Sequence, residues 1–106
     1  MEMYAVVEVT TSGEKESKRI GKKVVEERLA ACANVIPNIA SFYWWKGVLE
    51  EGSESILLLK TKKSNLETLI KRIKELHSYE NPAIIALPIE KGSKLYLKWI
   101  KEETVD

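Results

Sequence analysis

Cysteine, histidine and phenylalanine occur once each in this 106-residue chain, as Cys32, His77 and Phe42. A lone cysteine closes no internal disulfide, so the expected compartment is the cytoplasm. One histidine and one cysteine exclude paired-histidine motifs and zinc-like spacing. An excess of charge of one sign is missing too: 17 Lys and Arg stand against 16 Asp and Glu. Binding a phosphate backbone needs a lopsided basic surface, so nucleic acid is not an expected partner. No apolar run approaches the roughly 20 residues of a membrane span, and membrane is not expected either. The opening, MEMYAVVEVTT, lacks the basic region and small-residue cleavage site of a signal peptide. Neither a Gly-rich phosphate loop nor a Ser-His-Asp set is present, so the chain does not read as an enzyme.

What is present is a globular composition, 44% hydrophobic and 31% charged, sized for one domain over residues 1–106. Residues 3–11 (MYAVVEVTT) are rich in β-branched and aromatic types and read as a strand. Ser12 is placed to cap a helix whose first turn holds Glu14 and Glu16. Ile20, Val24 and Leu29, beside Val25, form its apolar stripe, weakened by Gly21. Residues 32–45 read as extended chain with a bend or bulge at Pro37-Asn38. Lys46-Gly47 and Glu51-Gly52 each suit a hairpin turn. Residues 55–62 (SILLLKTK) read as the next strand. Ser64-Asn65-Leu66-Glu67 has the form of a capping box, ahead of Leu66, Leu69, Ile70, Ile73 and Leu76 at helical spacing. Residues 83–89 (AIIALPI) make a fourth strand. Gly92-Ser93 opens a last helix with Leu95, Tyr96, Trp99 and Ile100 on one side.

That order gives an α+β fold, a ferredoxin-like βαββαβ sandwich with a C-terminal helix and an extended second hairpin. Two helices cover one face of its sheet. The other face still carries apolar residues: Ile and Leu occur at both parities in 56–59 and 84–89, and FYWW (42–45) is aromatic on both sides. Either the last helix folds over that surface, or copies pack open face to open face. The size of the surface favours the oligomer.

The segments RLAACAN (28–34), FYWWKG (42–47), LKTK (59–62) and LHSYENPAI (76–84), in this order and spacing, resemble the CutA family of divalent-cation tolerance proteins. The likeness spans nearly the whole chain. It implies a ferredoxin-like homotrimer, similar in architecture to the nitrogen-signalling PII proteins, whose second hairpin reaches a neighbouring subunit. It implies a role in metal tolerance, with no established cofactor and a divalent metal such as copper as the one candidate. The alternative is a PII-like regulatory or scaffold trimer that binds a small ligand or a partner protein at the cleft between subunits.

The individual residues leave both functions open. Cys32, among small residues in AACAN, reads as an inert buried thiol. A Cys32–His77 nucleophilic pair has no third residue to orient it. His77 suits a helix C-terminus, where imidazole complements the dipole, and imidazole is also a common copper and zinc ligand. By resemblance, His77 and Tyr79 match the family's His-x-Tyr-x-x-Pro pattern beside the cleft, and Trp45, Glu54 and Lys60 border it. A cation, an acid, an aromatic and an imidazole together suit a small anionic or polar ligand. Copper-binding relatives are credited with a cysteine in the first strand and two adjacent histidines after the second helix. Those positions fall here at Thr10, Leu76 and His77. A hydroxyl and an isobutyl group replace neither thiolate nor imidazole, so metal binding is expected to be weak, dependent on His77 with Glu54 or Glu80, and lost on acidification.

Overall fold

The computed structural model describes Met1–Asp106 as β1 (Tyr4–Thr11), α1 (Glu14–Glu26), β2 (Cys32–Trp45), β3 (Val48–Lys62), α2 (Leu66–Leu76), β4 (Ile84–Ile89) and α3 (Lys94–Glu103). The four strands form one antiparallel sheet in the order β2-β3-β1-β4. Burial alternates along β1. Ala5, Val7, Val9 and Thr11 point at the helices, and Tyr4, Val6, Glu8 and Thr10 point away. Val7, Val9, Leu57 and Leu59 from the sheet meet Ile20 and Val24 of α1 and Leu69 and Ile73 of α2 in one core. Burying such aliphatic side chains stabilises by about 1.5–3 kcal/mol each.

Gly21, which looked only like a weak helix position, has a packing reason. A Cβ there would stand 2.9 Å from Leu57 Cδ1 and 3.1 Å from the Ala33 Cβ, so its absence lets α1 approach the sheet. Both expected side-chain caps are absent. Gly13, not Ser12, is the N-cap of α1, and the turn Lys63–Asn65 stands where the Ser64 box was expected, with Asn65 the N-cap of α2. Neither cap residue makes a side-chain bond. The reason in α1 is tertiary: Ser12 is turned towards the Glu16 carboxylate.

The β2-β3 hairpin is the longest element pair. Trp45 pairs with Val48 across Lys46-Gly47, whose φ values of 50° and 80° are the two positive angles of a type I′ turn. Glu51-Gly52 therefore lies inside β3, opposite Phe42 and Ser41. A bulge interrupts β2 between Ile36 and Ile39, with Asn38 at φ 58°. Beside it, a buried chain of hydroxyls from Thr11 through Ser17 to Ser55 ends on the Ile36 carbonyl oxygen.

The C-terminal helix answers part of the question of the open face. α3 packs on β3 and Ile100 is fully buried. It does not cover the rest. Ile36, Ile85 and Leu87 stay 45%, 52% and 49% exposed, and Leu95, Tyr96 and Trp99 remain exposed on α3 itself. No helix is long and apolar enough to cross a membrane.

Candidate functional site

Glu16 organises the site, and sequence reasoning passed over it. It sits in the first turn of α1, yet lies on the same stripe as Ile20 and Val24 at intervals of four, which turns it inward. That spacing was the available signal. Its side chain is 6% exposed. Oε1 accepts from the Ser12 amide (3.0 Å) and hydroxyl (2.9 Å); Oε2 accepts from the Ser78 amide (2.8 Å) and Arg19 (3.3 Å). Burial alone would raise the carboxyl, but the hydrogen bonds from Ser12 and Ser78 outweigh it and hold the group at about 2. Arg19 also donates to the Leu76 carbonyl (3.0 Å), at the end of α2. The start of α1 thus clamps the segment that follows α2.

That segment carries His77 and Tyr79. The imidazole is completely buried. A carbonyl oxygen only accepts and an amide N–H only donates, so its partners assign the tautomer. Nε2–H donates to the Thr10 carbonyl (2.8 Å), and Nδ1 accepts the Tyr79 amide (3.0 Å). The Tyr79 ring leans on the imidazole, centroids 4.8 Å apart. Its hydroxyl donates to Glu54 Oε2 at 2.6 Å. Burial first, then the bond to Glu54 and its negative charge, push the phenol above its ordinary value.

A pocket of about 620 Å³ opens between this segment and the hairpin. Ser41 and the aromatic run Phe42–Trp45 form one wall, residues 78–81 and Ala83 another, with Thr10 and Glu54 completing the lining. Glu54 is 7% exposed. Trp45, Glu54 and Tyr79 therefore share one cavity, and His77 lies behind Tyr79 as its support. Lys60 is elsewhere. It is six residues along β3 from Glu54, about 20 Å at strand rise, where Nζ donates to Asn34 Oδ1 (2.7 Å) and stands 4.0 Å from Cys32 Sγ. Within one chain the expected five-residue cleft lacks its lysine, because Lys60 faces the end of the sheet under α3.

The fit to a metal was tested on the same geometry. Both nitrogens of His77 are engaged and the ring is sealed, so the expectation that His77 ligates metal does not fit this fold. No group of three His, Cys, Asp or Glu side chains stands close enough to hold an ion. Cys32 is half-buried rather than sealed, with Asn34 and Lys60 beside it.

Against known proteins, residues 5–103 match the family model described as CutA1 divalent ion tolerance protein. The divalent-cation tolerance protein CutA of Thermus thermophilus is 44% identical over 102 residues, covering 96% of this chain and 99% of its own. Human Protein CutA is 46% identical over 96 residues, covering 91% of this chain. The chain spans about half the length of that relative and of the chloroplastic rice protein, at 54% and 56%. The solved Thermus thermophilus structure superposes with a TM-score of 0.94 at 44% identity over 97% of this chain and all of that one. A structure from Archaeoglobus fulgidus, described as the periplasmic divalent cation tolerance protein CutA, superposes at 0.92 with 38% identity over 95% of this chain and 98% of that one. A four-stranded antiparallel sheet under two core helices, shared at this level of identity over almost every residue, settles the kinship: the chain belongs to the CutA1 divalent ion tolerance protein family.

Proposed function

We propose that this chain serves divalent-cation tolerance as a non-catalytic cytoplasmic homotrimer, and that it does so in the manner of a PII-like module, by holding a small ligand in the hairpin pocket. The observation that carries the reading is the pocket itself: a preformed cavity of about 620 Å³ within the usual range for small molecules, containing a carboxylate that is almost wholly desolvated. Assembly is supported by the half-exposed Ile36, Ile85 and Leu87 and by a hairpin whose Trp44 is 73% exposed, an apolar surface that a second and third copy would cover. In such a trimer a neighbour's hairpin closes the pocket and a neighbour's Lys60 is the lysine the cleft lacks.

A second reading, weak direct binding of copper, is favoured by one observation: Glu54 and Glu80 both line the pocket. Two carboxylates without imidazole or thiolate make a poor copper site. Calorimetry with copper on the wild type, His77→Ala and Glu54→Gln decides between the two. The expected result is micromolar or weaker binding that His77→Ala leaves unchanged. Nanomolar binding by the wild type would overturn the ligand-module reading in favour of metal capture.

A further inference from the structure

We propose that His77 is a proton-operated catch on one wall of the hairpin pocket: an imidazole that takes a second proton lets go of Tyr79 and the residues after it. The inference concerns the wall itself and holds whether or not the pocket takes a ligand. Its basis is a ring that can serve its present partners in one protonation state only. Nε2–H donates to the Thr10 carbonyl at 2.8 Å, and Nδ1 accepts the Tyr79 amide at 3.0 Å. A proton added at Nδ1 sets N–H against N–H, and that bond becomes a repulsion. The side chain is 0% exposed, so the new charge has no water to solvate it.

One group is placed to receive it. Glu16 Oε1 stands 3.9 Å from Nδ1, too far to bond the neutral ring and near enough to attract a cationic one. Held at about 2, this carboxylate is ionised throughout the range in which an imidazole titrates. Arg19, the other charged group that α1 brings here, bonds Oε2 and the Leu76 carbonyl. β1 offers the Thr10 carbonyl, and α2 the Ile73 carbonyl that takes the His77 amide. Protonation therefore trades the Tyr79 amide for Glu16. The Ser78 amide stays on Oε2, so the release begins at Tyr79. That is where the trade meets the pocket. The Tyr79 ring leans on the imidazole, its hydroxyl bonds Glu54 of β3, and Tyr79, Glu80 and Asn81 belong to the wall opposite the hairpin. Neutral His77 fixes this wall, and the cation frees it.

The test is a nuclear magnetic resonance titration of isotope-labelled full-length protein from about pH 8 to about pH 5. The chain has one histidine, so its ring nitrogens are assigned without ambiguity. One readout is the scalar coupling between the Tyr79 amide nitrogen and Nδ1 across their hydrogen bond. The other is hydrogen-exchange protection of the Tyr79, Glu80 and Asn81 amides, with buried Leu57 as the reference. The coupling should be present at the upper end and lost at the lower, with Tyr79 protection falling about tenfold or more while Leu57 holds. His77→Asn puts an amide oxygen where Nδ1 stands and does not titrate, so Tyr79 protection should then be independent of pH. Glu16→Gln removes the waiting charge, and the same loss should need a lower pH. A ring that takes its proton while the coupling persists would overturn the inference. So would a ring that stays neutral to the end of the titration, a fall shared by Leu57, or an equal fall in His77→Asn.

Discussion

Replacing Glu16 by glutamine removes one charge from a site 6% exposed and turns one acceptor into a donor. The amide oxygen can serve either Ser12 or Ser78, and its NH2 group then faces the other's N–H. A carboxyl held at about 2 when its ordinary value is 4.5 contributes roughly 3 kcal/mol at neutral pH. Because the folded value lies below the unfolded one, the unfolded chain takes up its proton first as pH falls. The contribution is whole above about pH 5 and is lost between 4.5 and 2, with a slope of up to about 1.4 kcal/mol per pH unit. Glu16→Gln should therefore be about 3 kcal/mol less stable than wild type at pH 7, and the two should converge near pH 2. Urea unfolding followed by circular dichroism, at one protein concentration so that assembly does not enter the difference, measures both curves from pH 2 to 7. Other carboxylates are depressed as well, Glu27 through its hydrogen bonds from Arg72, so the diagnostic is the gap between the curves and not either slope alone. A gap that stays constant across this range would show that the hydrogen bonds to Glu16 do not hold its charge.

Gly21→Ala improves helix propensity by about 1 kcal/mol but sets a methyl 2.9 Å from the buried Leu57 and 3.1 Å from the Ala33 Cβ, and overpacking of about 1–3 kcal/mol should win; a variant more stable in urea would refute the close approach. Gly47→Ala, at φ 80°, should cost about 1 kcal/mol through strain at the hairpin tip, read as a lowered urea midpoint without change in slope. Trp44→Glu should leave the fold intact and disrupt assembly, since this ring lies 73% exposed on the single chain, and a wild type that scatters light as a monomer at micromolar concentration would end the trimer proposal. His77→Ala should lower stability by about 2–3 kcal/mol, because it strands the Thr10 carbonyl and the Tyr79 amide, and an undisturbed denaturation curve would mean that neither bond matters.

Hydrophobic periodicity determined most of the architecture without the structure. β-branched and aromatic enrichment over 3–11, period 3.6 over 66–76 and the breaks at Ser12-Gly13 and Asn81-Pro82 place the elements within a few residues, except β3, which begins at Val48 and not at Ser55. Burial on one face is a local demand that each segment writes into its own order. Apolar residues at both parities in 56–59 and 84–89 likewise marked a second sheet face with more than solvent to meet. The turn was not legible: Lys46-Gly47 and Glu51-Gly52 are equally good pairs, and the register of Ile56 with Ile36 chose between them. Trp45, Glu54 and Tyr79, which only resemblance grouped, line one cavity, while Lys60 stays about 20 Å from Glu54 within a single chain. His77 looked like a ligand because imidazole commonly ligates metal and only Nδ1 has a local partner, the Tyr79 amide. Its partner at Nε2 is the Thr10 carbonyl, 67 residues earlier. Glu16 looked like an ordinary first-turn acid because the partner that ties it to the segment after α2, Ser78, lies 62 residues on. Helix and strand follow from neighbours in sequence, whereas the state of a polar side chain follows from what the fold brings within 3 Å of it, and only the tertiary structure decides that.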